Sequence, residues 1–139
     1  MIPALLASLF MSSVALASDE SVASTCVRAK VRESYGQGWS VRTTTKADLA
    51  QGQREIYQLT MQAGNSYKIL ACGDHAFKNV DVVVYDSEGT VVGSEPGVDR
   101  EPMVELTPTV TGTYYVAVFA NGMNSTDGRG TVATAVIFK

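Results

Sequence analysis

The side chains able to hold a metal or move a proton are few, and most lie in one stretch of the chain. Asp74, Asp81, Asp99 and Glu101 sit in or beside predicted loops. Calcium asks for about six to eight oxygens, with several carboxylates converging on one point. These four acids are therefore the calcium candidates, weighed against solvated loop acids and, for Asp81, against a place on the wet face of a strand. Asp86 and Glu88 have a different reading. Asp86-Ser87-Glu88-Gly89 stands between two valine-rich runs, with Asp first and Gly fourth. Aspartate bonds to the backbone two residues on, and glycine accepts the left-handed conformation, so a hairpin turn over Asp86 and Gly89 is expected with no ligand. Glu88 is then simply exposed. His75 is the sole histidine, in Gly73-Asp74-His75. A general base needs a partner within reach, and the sequence has no GxSxG and no HExxH. A hydrolase built on His75 would draw its nucleophile and acid from distant strands. The simpler expectation is an exposed loop histidine and no catalytic residue.

The two cysteines, Cys26 and Cys72, take their meaning from the compartment. Residues 1–17, MIPALLASLFMSSVALA, carry no charged side chain and end in Ala15-Leu16-Ala17, followed at once by Ser-Asp-Glu-Ser. That is a secretory signal pattern, with cleavage expected between Ala17 and Ser18. Its n-region lacks Lys and Arg, so the true start could lie elsewhere than Met1. A buried N-terminal helix is the competing reading. A membrane anchor is disfavoured, because the apolar run is short of the ~20 residues a span needs. No cysteine follows the cleavage point directly to carry a lipid. Export places Cys26 and Cys72 in an oxidising compartment, where the expectation is a disulfide rather than two buried thiols. Such a bridge constrains the unfolded chain by about 4 kcal/mol. No CxxC occurs, so neither a redox nor a zinc motif is present.

Composition narrows the classes further. A hydrophobic share of 45% against 18% charged residues describes a chain able to bury a core. A net charge of −3 gives no basic footprint for nucleic acid, and there is no Lys/Arg run to dock on an anionic membrane.

The elements that must position these residues are mostly strands. Residues 19–34 are ambiguous between helix and strand. Val22, Cys26 and Ala29 share a helical face and the acids Asp19 and Glu20 suit a helix start, so a short helix is favoured. Gly36-Gln37-Gly38 ends it. From Trp39 the rhythm has a period of two. Strands are expected at 39–45, 54–64, 66–72, 80–85, 90–94, 101–108, 112–122 and 131–138, separated by turn signals at nearly regular spacing. That pattern predicts an all-β antiparallel sandwich of about eight strands. The organisation read from the sequence is a signal peptide at 1–17, an N-terminal segment with a possible short helix at 18–38, and a sandwich at 39–139.

Residues 54–139 resemble the bacterial pre-peptidase C-terminal family, the collagen-binding-like sandwich. The resemblance rests on Tyr57 with Leu59, on Ala63-Gly64-Asn65-Ser66-Tyr67-Lys68-Ile69, on the run from Asn79 to Gly89, on Val104-Glu105-Leu106-Thr107-Pro108, and on Thr111-Gly112-Thr113-Tyr114-Tyr115-Val116-Ala117-Val118. It implies a jelly-roll-like sandwich that is usually non-catalytic, an accessory module for secretion or surface binding. Here it looks like the stand-alone exported form. Family members often carry Asp where this chain has Asn79, and some use acidic loops for calcium, so the substitution weakens the calcium reading.

Three functions follow. The first is an exported, periplasmic or secreted, non-catalytic module that binds an envelope or extracellular protein or glycan. The second is a calcium-dependent adhesion module. The third is an envelope hydrolase using His75. For the first, Tyr85 and Tyr115 are the outward candidates for a binding face, provided that Val82, Val84, Tyr114, Val116 and Val118 point into the core. Asn124-Ser125-Thr126 matches a glycosylation acceptor, but carries no weight in a bacterial host.

Overall fold

The computed structural model describes residues 19–139. The expected signal peptide and its cleavage point at Ala17 and Ser18 lie outside these residues. One helix, α1 (Asp19–Tyr35), precedes eight strands: β1 (Ser40–Ala50), β2 (Arg54–Met61), β3 (Tyr67–Gly73), β4 (Phe77–Tyr85), β5 (Val91–Ser94), β6 (Met103–Leu106), β7 (Gly112–Met123) and β8 (Arg129–Phe138). They form two antiparallel four-stranded sheets, ordered β1-β8-β3-β6 and β2-β7-β4-β5. This is the all-β sandwich the two-residue rhythm predicts.

The core lies between the sheets. Leu59 and Met61 of β2, Val80, Val82 and Val84 of β4, and Tyr114, Val116 and Val118 of β7 point inward. They meet Tyr67, Ile69 and Ala71 of β3, Val132 and Val136 of β8, and Leu49 of β1. The stripe on β4 and β7 is the one on which the choice of Tyr85 and Tyr115 depended.

The sheet containing β8 is covered on its other face as well. There Ala133 and Ala135 of β8 and Cys72 of β3 lie beneath Ala23 and Val27 of α1. Farther along, Trp39, Leu70 and Ile137 form a second cluster against Val31. The ammonium groups of Lys68 and Lys139 sit 4.4 and 4.9 Å from the Trp39 ring centroids, a favourable cation–π arrangement. A disulfide joins Cys26 of α1 to Cys72 of β3 and so pins the helix to the sheet.

The short helix is present as expected, but its buried face is rotated. Ala23, Cys26, Val27 and Val31 face the sheet, whereas Ala29 is exposed and not part of the contact stripe. The alanines of β8 explain this, because small residues let the helix approach most closely over Ala133 and Ala135. At its end Trp39 N donates to Ser34 O, with Gly38 at a positive φ, satisfying a carbonyl of the last turn.

Strand boundaries differ too: β2 stops at Met61 rather than 64, β6 covers only Met103–Leu106 of 101–108, and two strands run three or more residues past expectation. β1 continues past Thr45 to Ala50, because β8 pairs with it from Lys46↔Ala133 to Ala50↔Arg129. Lys-Ala-Asp-Leu-Ala has weak strand propensity, and a neighbour's ladder overrides it. β4 starts at Phe77 rather than Val80, through register irregularities around Asn79.

Candidate binding face

Among the described residues, no helix lies over the outward face of the β2-β7-β4-β5 sheet. Antiparallel register sets its side chains in cross-strand rows. Gln58, Tyr115, Tyr85 and Val91 form one row across β2, β7, β4 and β5. Ile56, Ala117, Val83 and Ser94 form the next, and Arg54, Phe119 and Asp81 a third. Tyr85, Tyr115, Phe119 and Val83 are half-buried, while Ile56 and Val91 are 49% and 53% exposed. Ala117 is buried although it points outward. Flanked by Tyr115 and Phe119 along β7, it marks a dip in the middle of the face. The rim is polar: Asn121 Nδ2 donates to the Asp81 carboxylate, with Arg54 and Gln58 on the β2 side. The arrangement is a shallow apolar and aromatic platform with hydrogen-bonding groups at its margin. It can bury surface and orient a ligand. Sequence reasoning placed Tyr85 and Tyr115 but missed Ile56 and Val83, for which the same alternation was available.

The other residues singled out by sequence are dispersed. Asp74 is fully buried, not a solvated loop acid. Its Oδ1 accepts from Ala76 N and its Oδ2 from Thr131 N, each at 2.9 Å. It therefore staples the turn after β3 to β8. Gly130 lies so close that a Cβ there would come 2.6 Å from Asp74 Oδ1 and 2.5 Å from the Phe77 ring, closer than any side chain could sit. The sequence signal was present, since Gly73-Asp74-His75-Ala76 is as good an Asp-turn as the one at Asp86.

His75 is exposed, and its Nδ1 lies 2.8 Å from Arg100 Nη1. A guanidinium only donates, so Nδ1 accepts and the proton of the neutral ring is on Nε2. Among the described residues no serine, threonine or acid side chain bonds to His75. Asn124, the first residue of the acceptor match, donates through Nδ2 to His75 O at 2.7 Å. The Asp99 carboxylate accepts from Glu101 N at 2.7 Å, and Glu101 pairs with Lys30 at 3.3 Å. Asp81, as noted, is held by Asn121. Each of the four calcium candidates thus serves a separate partner. Among the described residues the one gathering of three potential metal donors is Cys26, Cys72 and Glu101. Its sulfurs are joined to each other and offer no thiolate. Glu101 Oε1, 3.1 Å from Cys26 Sγ, rests against the bridge.

The Asp86 turn closes on itself. Asp86 Oδ1 accepts from Glu88 N and Thr90 N, each at 2.9 Å. Gly89 takes φ +84°, a conformation glycine adopts without steric strain.

No family profile matches the chain, and no curated protein is significantly similar to it. Solved structures do share its fold. Aeromonas hydrophila PliG, a periplasmic lysozyme inhibitor of g-type lysozyme, superposes with a TM-score of 0.55 at 15% identity, covering 70% of this chain and 85% of that one. The pre-peptidase C-terminal domain of Bacillus anthracis collagenase gives 0.53 at 18% identity, covering 69% and 89%. The sandwich is therefore a fold that this chain shares with these two proteins.

Proposed function

We propose that this chain is an exported, non-catalytic binding module, periplasmic or secreted, that engages a protein or glycan through the open face of the β2-β7-β4-β5 sheet. The observation that carries the reading is the cross-strand pairing of Tyr85 with Tyr115 beside exposed Ile56 and Val91, on a face that no part of the described chain covers. Aromatic residues ringed by polar groups are the usual make-up of an interaction surface. The disulfide and the signal-like first residues support export, and no described helix is long and apolar enough to cross a membrane. A protein partner is favoured over a glycan, because one structure of this fold is a lysozyme inhibitor. The calcium-dependent and hydrolase readings draw on Asp74, Asp81, Asp99, Glu101 and His75, side chains already committed to separate partners.

The test immobilises the chain and its Tyr85→Ser/Tyr115→Ser variant beside a host envelope extract and a glycan array. Specific retention by the native chain, lost in the double variant, is the expected result. Equal retention by both would show that binding, if any, lies elsewhere.

A further inference from the structure

The rows of the open face carry an order that strand alternation does not require. Each row runs from β2 through β7 to β4, and its two ends are chemically matched. Gln58 and Tyr85, an amide and a phenol, flank Tyr115. Ile56 and Val83, both apolar, flank Ala117. Arg54 and Asp81, a cation and an anion, flank Phe119. Within one molecule the backbones at the two ends stand about 9.6 Å apart, with a β7 side chain between them.

A twofold axis lying along β7 exchanges these ends. Two copies laid face to face about that axis set Arg54 of each against Asp81 of the other. Ile56 then meets Val83, and Gln58 meets Tyr85. Every such contact occurs twice, as an isologous interface requires. Along the axis Tyr115, Ala117 and Phe119 meet their own counterparts. Facing sheets cross at about 30°. With Ala117 as the pivot, that rotation offsets like rings by about 3–4 Å, the slipped arrangement aromatic pairs prefer. It moves Arg54 about 4 Å from a place directly over Asp81, within reach of an arginine side chain. The other axis in the plane of the face, across the strands, sets Arg54 over Gln58 and Asp81 over Tyr85, and pairs no opposite charges.

We propose that the open face of the β2-β7-β4-β5 sheet takes a second copy of this chain, in a symmetric dimer about β7. The proposal rests on the reading of that face as a binding surface and names its partner. The face spans about 19 Å across four strands and about 20 Å along three rows, roughly 400 Å² in outline from each molecule. That is small for a permanent dimer, so the pair is weak and reversible.

Sedimentation equilibrium from about 10 μM to about 1 mM tests this. A mass rising from monomer towards dimer across that range is expected. Arg54→Asp and Asp81→Arg each set like charges against one another and should weaken self-association at least about tenfold. Mixed in equal amounts, the two variants should pair with each other as the native chain pairs with itself, because every Asp then meets an Arg. Ile56→Glu, at a position 49% exposed, should also weaken the dimer while leaving Asp81 in place. Thermal melting identifies which variants are folded. A chain that stays monomeric throughout the range would overturn the proposal. If it still retained an envelope protein or a glycan through Tyr85 and Tyr115, the wider reading of the face would stand. Undiminished association of Arg54→Asp, or no gain on mixing two folded variants, would also overturn the proposal.

Discussion

On one sheet the outward residues of β8 are Ala133, Ala135 and Ile137, at most 3% exposed. On the other, the outward residues of β2 and β7 include Ile56, Tyr115 and Phe119, and Ile56 is 49% exposed. Both sets come from the same strand alternation, so β-structure alone does not decide what a face is for. The difference is the helix. Small side chains on β8 let α1 lie close, and Cys26–Cys72 holds it there. The bulkier aromatic row on the open sheet has no such cover in the described chain. The covered face therefore serves stability, and the open one is available for contact.

The sharpest way to break this contrast is to place a charge on each face. Ala135→Glu should lower unfolding free energy by about 3 kcal/mol or more, because the carboxylate would be trapped under α1 without a partner. Ile56→Glu, on the open face, should change it by less than about 1 kcal/mol. Urea denaturation of the two variants measures both, and equal losses would mean the faces are not distinct. Next in size is the tether. Cys26→Ser with Cys72→Ser should cost about 2–4 kcal/mol, read as a lower urea midpoint. A midpoint unmoved by the double substitution would show that the bridge contributes nothing. Smaller again is Tyr115→Ala, which loses a cross-strand aromatic pair and should cost roughly 0.5–1 kcal/mol in the same assay, while ligand retention disappears.

Smallest is Tyr57→Phe. The Tyr57 and Thr45 hydroxyls are both buried without a hydrogen bond of good geometry. Burial, aided by nearby Glu55, raises the Tyr57 phenol above its ordinary range, against a smaller opposing influence of Thr45. The fold favours the neutral phenol. Its contribution is whole below the ordinary value of about 10 and is lost as pH climbs through the raised one. Tyr57→Phe should change stability by under about 1 kcal/mol at neutral pH and remove that alkaline loss. Alkaline unfolding curves that superpose for the two proteins would contradict it.

Much of this was legible in the sequence. Eight strands in order, the Asp86 turn, the inward stripe of β4 and β7, and the cysteine pair all rest on local rules of alternation, turn chemistry and compartment. What was not legible depends on neighbours. The extension of β1 through Lys46 to Ala50 is imposed by β8, and the rotation of α1 by two alanines more than a hundred residues away. Thr131-Val132-Ala133-Thr134-Ala135-Val136-Ile137 did carry a usable sign: it is nearly unbroken in apolar and small residues, as befits a strand covered on both sides, not one. Asp74 was read as a calcium candidate or a solvated loop acid because it sits in a predicted loop, yet it is buried. Its actual work is to join two backbone segments.

The platform on which α1 lies is completed by β8, the last of the described strands to be made. A helix that emerges first must wait, its apolar side unsheltered, until more than ninety residues have followed it. Any partner that meets the unfinished polypeptide would find that side uncovered.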